Sequence, residues 1–125
     1  MLLVDDEPLV RQVLARMLEE FGFTVIQAGD GAEGLLVSDR MNGDLTLVVT
    51  DIHMPAMNGL EFARAVSARH PGIPILFITG GESYAPVVLP PVNGDLLWKP
   101  FGPDSFLSKV KGLLERGGHA QSHSA

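Results

Sequence analysis

The sequence predicts one α/β domain in which helices cover both faces of a parallel, five-stranded sheet. Short apolar runs alternate along the chain with longer stretches whose apolar residues recur at helical spacing. Several of the short runs are apolar at successive positions, as expected for strands that are buried on both faces. The chain has 125 residues, 46% of them hydrophobic, which suits a single domain with its own core.

The first quarter of the chain predicts a strand, a helix and a second strand. Residues 1–4 form an apolar run that is too short for a helix. A helix is predicted from Pro8, which the first helical turn tolerates, to Gly22, a common residue after a helix end. Residues 23–27 predict the second strand, and residues 30–41 predict a weaker helix that two glycines dilute. The apolar side of the first helix consists of Leu9, Val10, Val13, Leu14, Met17, Leu18 and Phe21.

The middle of the chain continues the alternation of strands and helices. Residues 45–50 are mostly apolar and predict a third strand, covered on both faces. Asn58 is a favourable N-cap for a helix that runs to about His70, where a Pro-Gly pair ends it. Residues 73–78 then predict the fourth buried strand.

The last third of the chain interrupts this alternation before resuming it. Residues 80–95 contain three prolines, and because a proline inside a helix costs about 3 kcal/mol, any helix here is predicted to be short or absent. Residues 96–98 predict the fifth strand, and residues 103–116 predict the final helix. The polar residues 117–125 are expected to form a disordered tail, so the predicted domain covers residues 1–116.

Composition excludes several classes of function. No apolar stretch approaches the roughly 20 residues of a membrane span, and the N-terminus lacks the pattern of a signal peptide, so a cytoplasmic protein without membrane contact is expected. The absence of cysteine excludes disulfides, thiolate zinc sites and cysteine nucleophiles. The net charge of −6 argues against nucleic-acid binding, because phosphate contacts need clustered lysine and arginine.

Four of the five apolar runs end on polar residues of particular types. Asp5 and Asp6 end the first, Asp51 the third, Thr79 the fourth and Lys99 the fifth. In an open parallel sheet the binding crevice lies beyond the carboxyl ends of the strands. These five side chains are therefore expected to converge on one edge of the sheet.

Such a cluster suits phosphoryl transfer. Neighbouring carboxylates repel one another, and oxygen ligands without cysteine favour a hard cation such as Mg²⁺, which leaves positions for water and phosphate oxygens. Lys99 would add a positive charge to a phosphoryl group, and the hydroxyl of Thr79 would add a hydrogen bond. The sequence thus suggests Asp51 as a nucleophile that forms an aspartyl phosphate, with Asp5 and Asp6 as the metal pair.

Four segments give the chain a resemblance to the receiver domains of two-component response regulators, from residue 1 to about residue 116. These segments are LLVDDEP, LVVTDIHMPAMNGLEF, LFITG and LLWKPF. The acidic pair or the Lys-Pro pair alone would be a weak signal. Their shared order and spacing, with a DxxMPxMNG motif between them, are specific.

The resemblance implies a flavodoxin-like (βα)5 three-layer sandwich with strand order 2-1-3-4-5. It also implies that Asp51 accepts a phosphoryl group from a histidine kinase or a histidine phosphotransfer protein, in a reaction that needs Mg²⁺. Asp5, Asp6 and Asp51 match the metal-binding carboxylates, and His53 matches the position whose backbone carbonyl completes the metal shell. Such a domain turns over no external substrate and passes its signal to an effector domain or target protein.

The resemblance assigns roles to the remaining site residues as well. Thr79 matches the switch hydroxyl, Lys99 matches the phosphate-contacting lysine, and a cis peptide is expected before Pro100. The usual switch aromatic is replaced by Leu96, so its movement could be absent or rebuilt with Tyr84 or Trp98. The proline-rich segment takes the place of the family's fourth helix, part of a common dimer surface, so a monomer or weak homodimer is expected.

Alternative interpretations remain. Taken singly, Asp5 and Asp6 could cap the first helix, and Thr79 could be an ordinary strand end; only the joint pattern indicates a site. The chain could be the receiver module of a hybrid histidine kinase or a phosphate sink. A degenerate receiver that only binds proteins is disfavoured, because the acidic pair, Asp51, Thr79 and Lys99 are all present. A haloacid-dehalogenase-like phosphohydrolase would place a second aspartate two residues after its nucleophile on the first strand, and a nucleotide-binding module would not begin with an acidic DDEP loop.

Overall fold

The structure is a computed structural model that describes residues 1–80 and 87–116 and the backbone of residues 117–124. Within these residues the chain forms five strands and four α-helices. The strands are β1 (Leu2–Val4), β2 (Ile26–Ala28), β3 (Val48–Asp51), β4 (Ile75–Thr79) and β5 (Gly94–Trp98). The helices are α1 (Pro8–Glu20), α2 (Gly31–Met41), α3 (Gly59–Arg69) and α4 (Pro103–Ser124), and a 3₁₀ turn follows α2 at Asn42–Asp44.

All strand pairs in the sheet are parallel, and the strand order is β2-β1-β3-β4-β5. This confirms the predicted flavodoxin-like architecture. Val4 pairs with Thr50 and Thr79 pairs with Trp98, so neighbouring strands end at nearly the same level. The carboxyl ends of β1, β3, β4 and β5 therefore form one continuous edge.

Alternate residues of each strand pack against opposite helix layers. Buried residues on the side of α1 and α4 are Leu3, Leu14, Leu18, Val49, Leu76, Ile78, Phe106, Val110 and Leu113. Those on the side of α2 and α3 are Leu2, Val4, Val48, Phe62, Ala63, Val66, Ile75 and Phe77. Because both faces of the sheet are covered, the central strands contain apolar residues at successive positions.

Local sequence signals explain the ends of two helices. At the start of α3 the Asn58 side chain accepts a hydrogen bond from the Glu61 amide (2.9 Å), and the Glu61 side chain accepts one from the Asn58 amide (3.1 Å). This capping box confirms Asn58 as the N-cap. At the end of α1, Gly22 has φ +92°, and the amides of Gly22 and Phe23 donate to the carbonyls of Glu19 and Leu18. These bonds form a Schellman motif, which ends the helix where a glycine was expected.

Several predicted details differ from the structure. In α1, Leu9 and Val13 are 77% and 54% exposed. Only a narrow side of this helix, centred on Leu14 and Leu18, packs against the sheet. The second strand is Ile26–Ala28 rather than residues 23–27. Its predicted start was early because Phe23 and Val25 pack against the core before pairing with β1 begins.

Two predictions concern segments that are only partly described. Residues 87–93, within the described chain, contain no helix, whereas residues 81–86 lie outside the described residues. The backbone of α4 continues past the predicted helix end at residue 116 to Ser124; that residues 117–125 form a disordered tail outside the domain stays a prediction. None of the helices in the described part of the chain is long and apolar enough to cross a membrane.

Candidate functional site

The candidate site lies at the carboxyl edge of the sheet. Asp5 and Asp6 directly follow β1, Asp51 and Thr79 are the last residues of β3 and β4, and Lys99 directly follows β5. The carboxylates of the three aspartates each offer an oxygen within 4.8 Å of the others. The acidic residues therefore lie together, as expected from the strand order, although their roles stay predictions.

The surroundings of Asp5 hold its carboxylate rigidly. Asp5 is 1% exposed, and its Oδ1 accepts a hydrogen bond from the Glu7 amide at 2.9 Å. The guanidinium of Arg11, on α1, donates to the Asp5 carbonyl (2.8 Å) and to the Gln27 side chain on β2 (3.2 Å). Among the described residues, Oδ2 of Asp5 is buried without a hydrogen-bond partner. A buried carboxylate oxygen without a donor is a candidate position for contact with a bound ligand.

Burial and mutual repulsion weaken the acidity of the buried carboxylates. Burial raises the pKa of Asp5 to about 6; the Glu7 amide opposes this shift, and the negative charge of Asp51 reinforces it. Burial also raises the pKa of Asp51, while the charge of Lys99 and the backbone amide of His53 oppose the shift. The site therefore holds more negative charge at neutral pH than its surroundings stabilise, which favours a bound cation.

The backbone after Asp51 is fixed by hydrogen bonds to the sheet and to α3. The Ile52 amide donates to the Ile78 carbonyl (2.9 Å), and the Gly59 amide donates to the Ile52 carbonyl (2.8 Å). A Cβ on Gly59 would collide with the carbonyl oxygen of Asp51 and lie 2.8 Å from Cα of Ile52. Glycine at position 59 thus lets α3 approach the strand end, and the MPxMNG loop holds the backbone of Asp51 in place.

Lys99 lies beside the site without a close ion pair. Its backbone amide donates to the Thr79 carbonyl (2.7 Å), which continues the ladder between β4 and β5. Its positive charge opposes the rise that burial causes in the pKa of Asp5 and Asp51, so the ammonium group is near enough to act on both carboxylates. Within the described residues, however, the ion pairs shorter than 4.0 Å do not include Lys99. The expected cis peptide precedes Pro100.

Thr79 has a partner that the sequence did not suggest. Its hydroxyl oxygen lies 3.3 Å from Nε2 of His53, although only the backbone carbonyl of His53 was assigned a role. Two residues were suggested as replacements for a switch aromatic. Trp98 pairs with Thr79 between β4 and β5 and is 43% exposed, whereas Tyr84 lies outside the described residues. Leu96 packs with the apolar core on the side of α2 and α3.

The roles of the Arg11 and His53 side chains could not be read from the sequence. Arg11 is one helical turn after Glu7, and nothing in that spacing indicates that its side chain reaches the Asp5 carbonyl. His53 follows Asp51 by two residues, but its contact with Thr79 depends on the pairing of β3 with β4. The contact of His53 joins residues 26 positions apart, and the contact of Arg11 bridges the turn between β1 and α1, so neither follows from the period of a single helix or strand.

Comparison with known proteins identifies one family. The family model of the response regulator receiver domain matches residues 1–111. The sensor kinase CckA of Brucella abortus is 33% identical over 117 residues, and the response regulator MprA of Mycobacterium ulcerans is 37% identical over 119 residues. Each match covers 92% of this chain, but only 12% of the kinase and 50% of the regulator. The chain therefore corresponds to one part of these longer relatives.

A solved structure supports the same assignment. The chemotaxis protein CheY4 of Vibrio cholerae superposes with a TM-score of 0.75 at 28% identity, over 90% of this chain and 95% of that protein. In this case the likeness extends over nearly the whole length of both chains.

Proposed function

This chain belongs to the family of response regulator receiver domains, and from that premise we propose that Asp51 is its phosphoacceptor. The observation that carries the proposal is the meeting of three carboxylates at the strand edge that also contains Thr79 and Lys99. Repulsion between neighbouring carboxylates lowers the stability of the folded protein, so a cluster of three indicates a functional site. Reversible modification of Asp51 provides one.

The proposed reaction transfers a phosphoryl group from a phosphohistidine. One carboxylate oxygen of Asp51 attacks phosphorus, the phosphorus–nitrogen bond breaks, and the donor imidazole leaves with the bonding electrons and takes up a proton. A histidine kinase or a histidine phosphotransfer protein would supply the phosphohistidine. Asp51 suits the attack because it is held at the end of β3 by the hydrogen bonds of the following loop.

Lys99 and Thr79 would stabilise the transferred group. The positive charge of Lys99 acts on Asp51 and would balance negative charge on the phosphoryl oxygens. Thr79 is the last residue of β4, the strand beside Asp51, and its hydroxyl would donate to one of these oxygens. Thr79 ends β4 and Lys99 directly follows β5, its neighbour in the sheet, so both residues are at the site before the group arrives.

The residues of the site fit Mg²⁺. All the side-chain donors are carboxylate oxygens, and within the described residues one of them, Oδ2 of Asp5, is buried without a hydrogen-bond partner. Asp5, Asp6 and Asp51 would hold the ion together with the backbone carbonyl of His53. When bound there, Mg²⁺ would neutralise negative charge on the phosphoryl oxygens.

The expected outcome of phosphorylation is a changed surface for a partner protein or an effector domain. The domain catalyses its own phosphorylation and dephosphorylation but turns over no external substrate.

We place it in the cytoplasm, and we assign it no contact with nucleic acid because its net charge is −6. A second context is the receiver module of a hybrid kinase, which the similarity to the sensor kinase CckA supports.

Intact-mass measurement tests the phosphoacceptor. The protein is incubated with Mg²⁺ and a small-molecule phosphodonor, and we expect one phosphoryl adduct in the wild type and none in Asp51→Asn. The matched control is Asp44→Asn, because Asp44 is an exposed aspartate in the turn after α2 and should leave the adduct intact. An adduct that persists in Asp51→Asn, or sustained hydrolysis of a phosphomonoester, would contradict the proposal.

A further inference from the structure

The imidazole of His53 makes a contact that the proposed reaction does not use. His53 is on the loop after β3, and its Nε2 lies 3.3 Å from Oγ1 of Thr79 at the end of β4. Thr79 is 1% exposed, whereas His53 is exposed. An exposed ring therefore approaches a buried hydroxyl, and the two belong to the ends of strands that pair in the sheet.

The position of the His53 ring is restricted by its neighbours in the chain. Ile52 and Met54, on either side, are buried in the core on the side of α2 and α3. The Ile52 amide donates to the Ile78 carbonyl at 2.9 Å, so the loop is anchored to the strand that ends in Thr79. Since both neighbours are anchored, the side chain of His53 reaches Thr79 from a fixed backbone.

The hydrogen-bonding capacity of the Thr79 hydroxyl limits which atom can be the donor in its contact with His53. A threonine hydroxyl has one proton to donate and two lone pairs that accept. Phosphoryl oxygens only accept, so a phosphoryl group on Asp51 needs the proton of Thr79. The His53 ring can hold the same hydroxyl at the same time only if Nε2 is the donor.

We propose that His53 is a positioning residue for Thr79: its Nε2–H donates to Oγ1 and leaves the hydroxyl proton directed at the phosphoryl group on Asp51. This inference rests on the proposed function of Asp51. It gives the side chain of His53 a role that is separate from that of its backbone carbonyl. Without the ring, the hydroxyl can rotate and the proton is no longer directed at the site.

A double-mutant cycle tests whether His53 acts through Thr79. The rate of adduct formation is measured by intact mass for wild type, His53→Ala, Thr79→Val and the double variant at one Mg²⁺ concentration. Since one hydrogen bond is at stake, we expect each single substitution to slow phosphorylation about threefold to tenfold, and the double variant to be no slower than Thr79→Val. His53→Gln should recover most of the rate, because its side-chain amide can donate from a similar position. Multiplicative effects in the double variant, or an unchanged rate in His53→Ala, would overturn the proposal.

A second measurement needs no phosphorylation. The ring nitrogens of His53 are observed by ¹⁵N NMR, well above the ordinary histidine pKa, and the signals are assigned with His53→Gln. We expect the proton on Nε2 and a shift of this resonance in Thr79→Val. A bare Nε2 with the proton on Nδ1 would overturn the inference. If the wild type takes up no phosphoryl group, the phosphoacceptor proposal fails, while the NMR experiment still decides whether His53 donates to Thr79.

Discussion

Burial of Asp5 makes this residue sensitive to pH near neutrality. Its carboxylate is almost fully covered, and its pKa rises from the ordinary 3.8 to about 6. The folded protein therefore binds more protons than the unfolded chain between these two values. By linkage, the free energy of unfolding decreases as the pH rises through this window. Above the folded-state pKa of about 6 the decrease is complete.

The first prediction concerns the opposite pH dependence of stability and metal affinity. Without Mg²⁺, the Tm should decrease between about pH 4 and about pH 6, whereas the Tm increase caused by Mg²⁺ should grow over the same range because ligands must be ionised. Differential scanning calorimetry with and without Mg²⁺ measures both. Asp5→Asn should flatten the metal-free dependence and reduce the Mg²⁺ effect. A metal-free Tm that rises through this window in the wild type but not in Asp5→Asn would contradict the assigned pKa.

At the scale of elements, the start of α3 joins the loop that follows Asp51 to the helix layer. The capping box of Asn58 and Glu61 sets where the helix begins, and the Gly59 amide bonds to the Ile52 carbonyl. The helix end and the strand end are in van der Waals contact at this point. A change in α3 should therefore reach Asp51 more directly than its distance along the chain suggests.

The second prediction is that Gly59→Ala both destabilises the fold and slows phosphorylation. A Cβ there would meet the Asp51 backbone, and such overpacking costs about 1–3 kcal/mol, which chemical denaturation measures. Gly112→Ala is the matched control in α4: nothing lies within 4 Å of its Cβ position, and alanine should stabilise this helix by about 0.5–1 kcal/mol. Equal effects of the two substitutions would contradict the close approach at Gly59.

At the scale of the whole molecule, the site exists because of the sheet topology. The strand order places β1 and β4 on either side of β3, with β5 beyond β4. Asp6 near the start of the chain and Lys99 near its end thereby share one edge. If this arrangement is correct, a substitution near the start of the chain should change a spectroscopic signal from a residue near its end.

The third prediction uses Trp98 for that test. Trp98 is the last residue of β5, is partly exposed and adjoins Lys99, so charge neutralisation by Mg²⁺ should change its fluorescence. The change should be lost in Asp6→Ala, although Asp6 follows β1, and retained in the control Asp104→Ala at the start of α4. If the fluorescence of the wild type does not change with Mg²⁺, or if the change persists in Asp6→Ala, the result would count against Asp6 as a metal ligand.

The sequence alone determined the features that depend on neighbouring residues. The five strands and four helices follow from runs and periods of apolar residues, and the ends of α1 and α3 follow from Gly22 and Asn58. The location of the acidic cluster also follows, because strand–helix alternation permits few arrangements other than a parallel sheet. In a parallel sheet the carboxyl ends of the strands lie at the same edge, so the residues that follow them are brought together.

The tertiary structure decided what depends on distances between separate segments. Layer packing decides that Leu9 and Val13 on α1 are exposed. The packing of α1 beside β2 lets Arg11 reach Gln27, and the register of β3 and β4 places the His53 ring beside Thr79. The stronger burial of Asp5 than of Asp6 has the same origin. Sequence patterns record local geometry with periods of two or 3.6 residues, whereas these contacts depend on how complete elements are placed against each other.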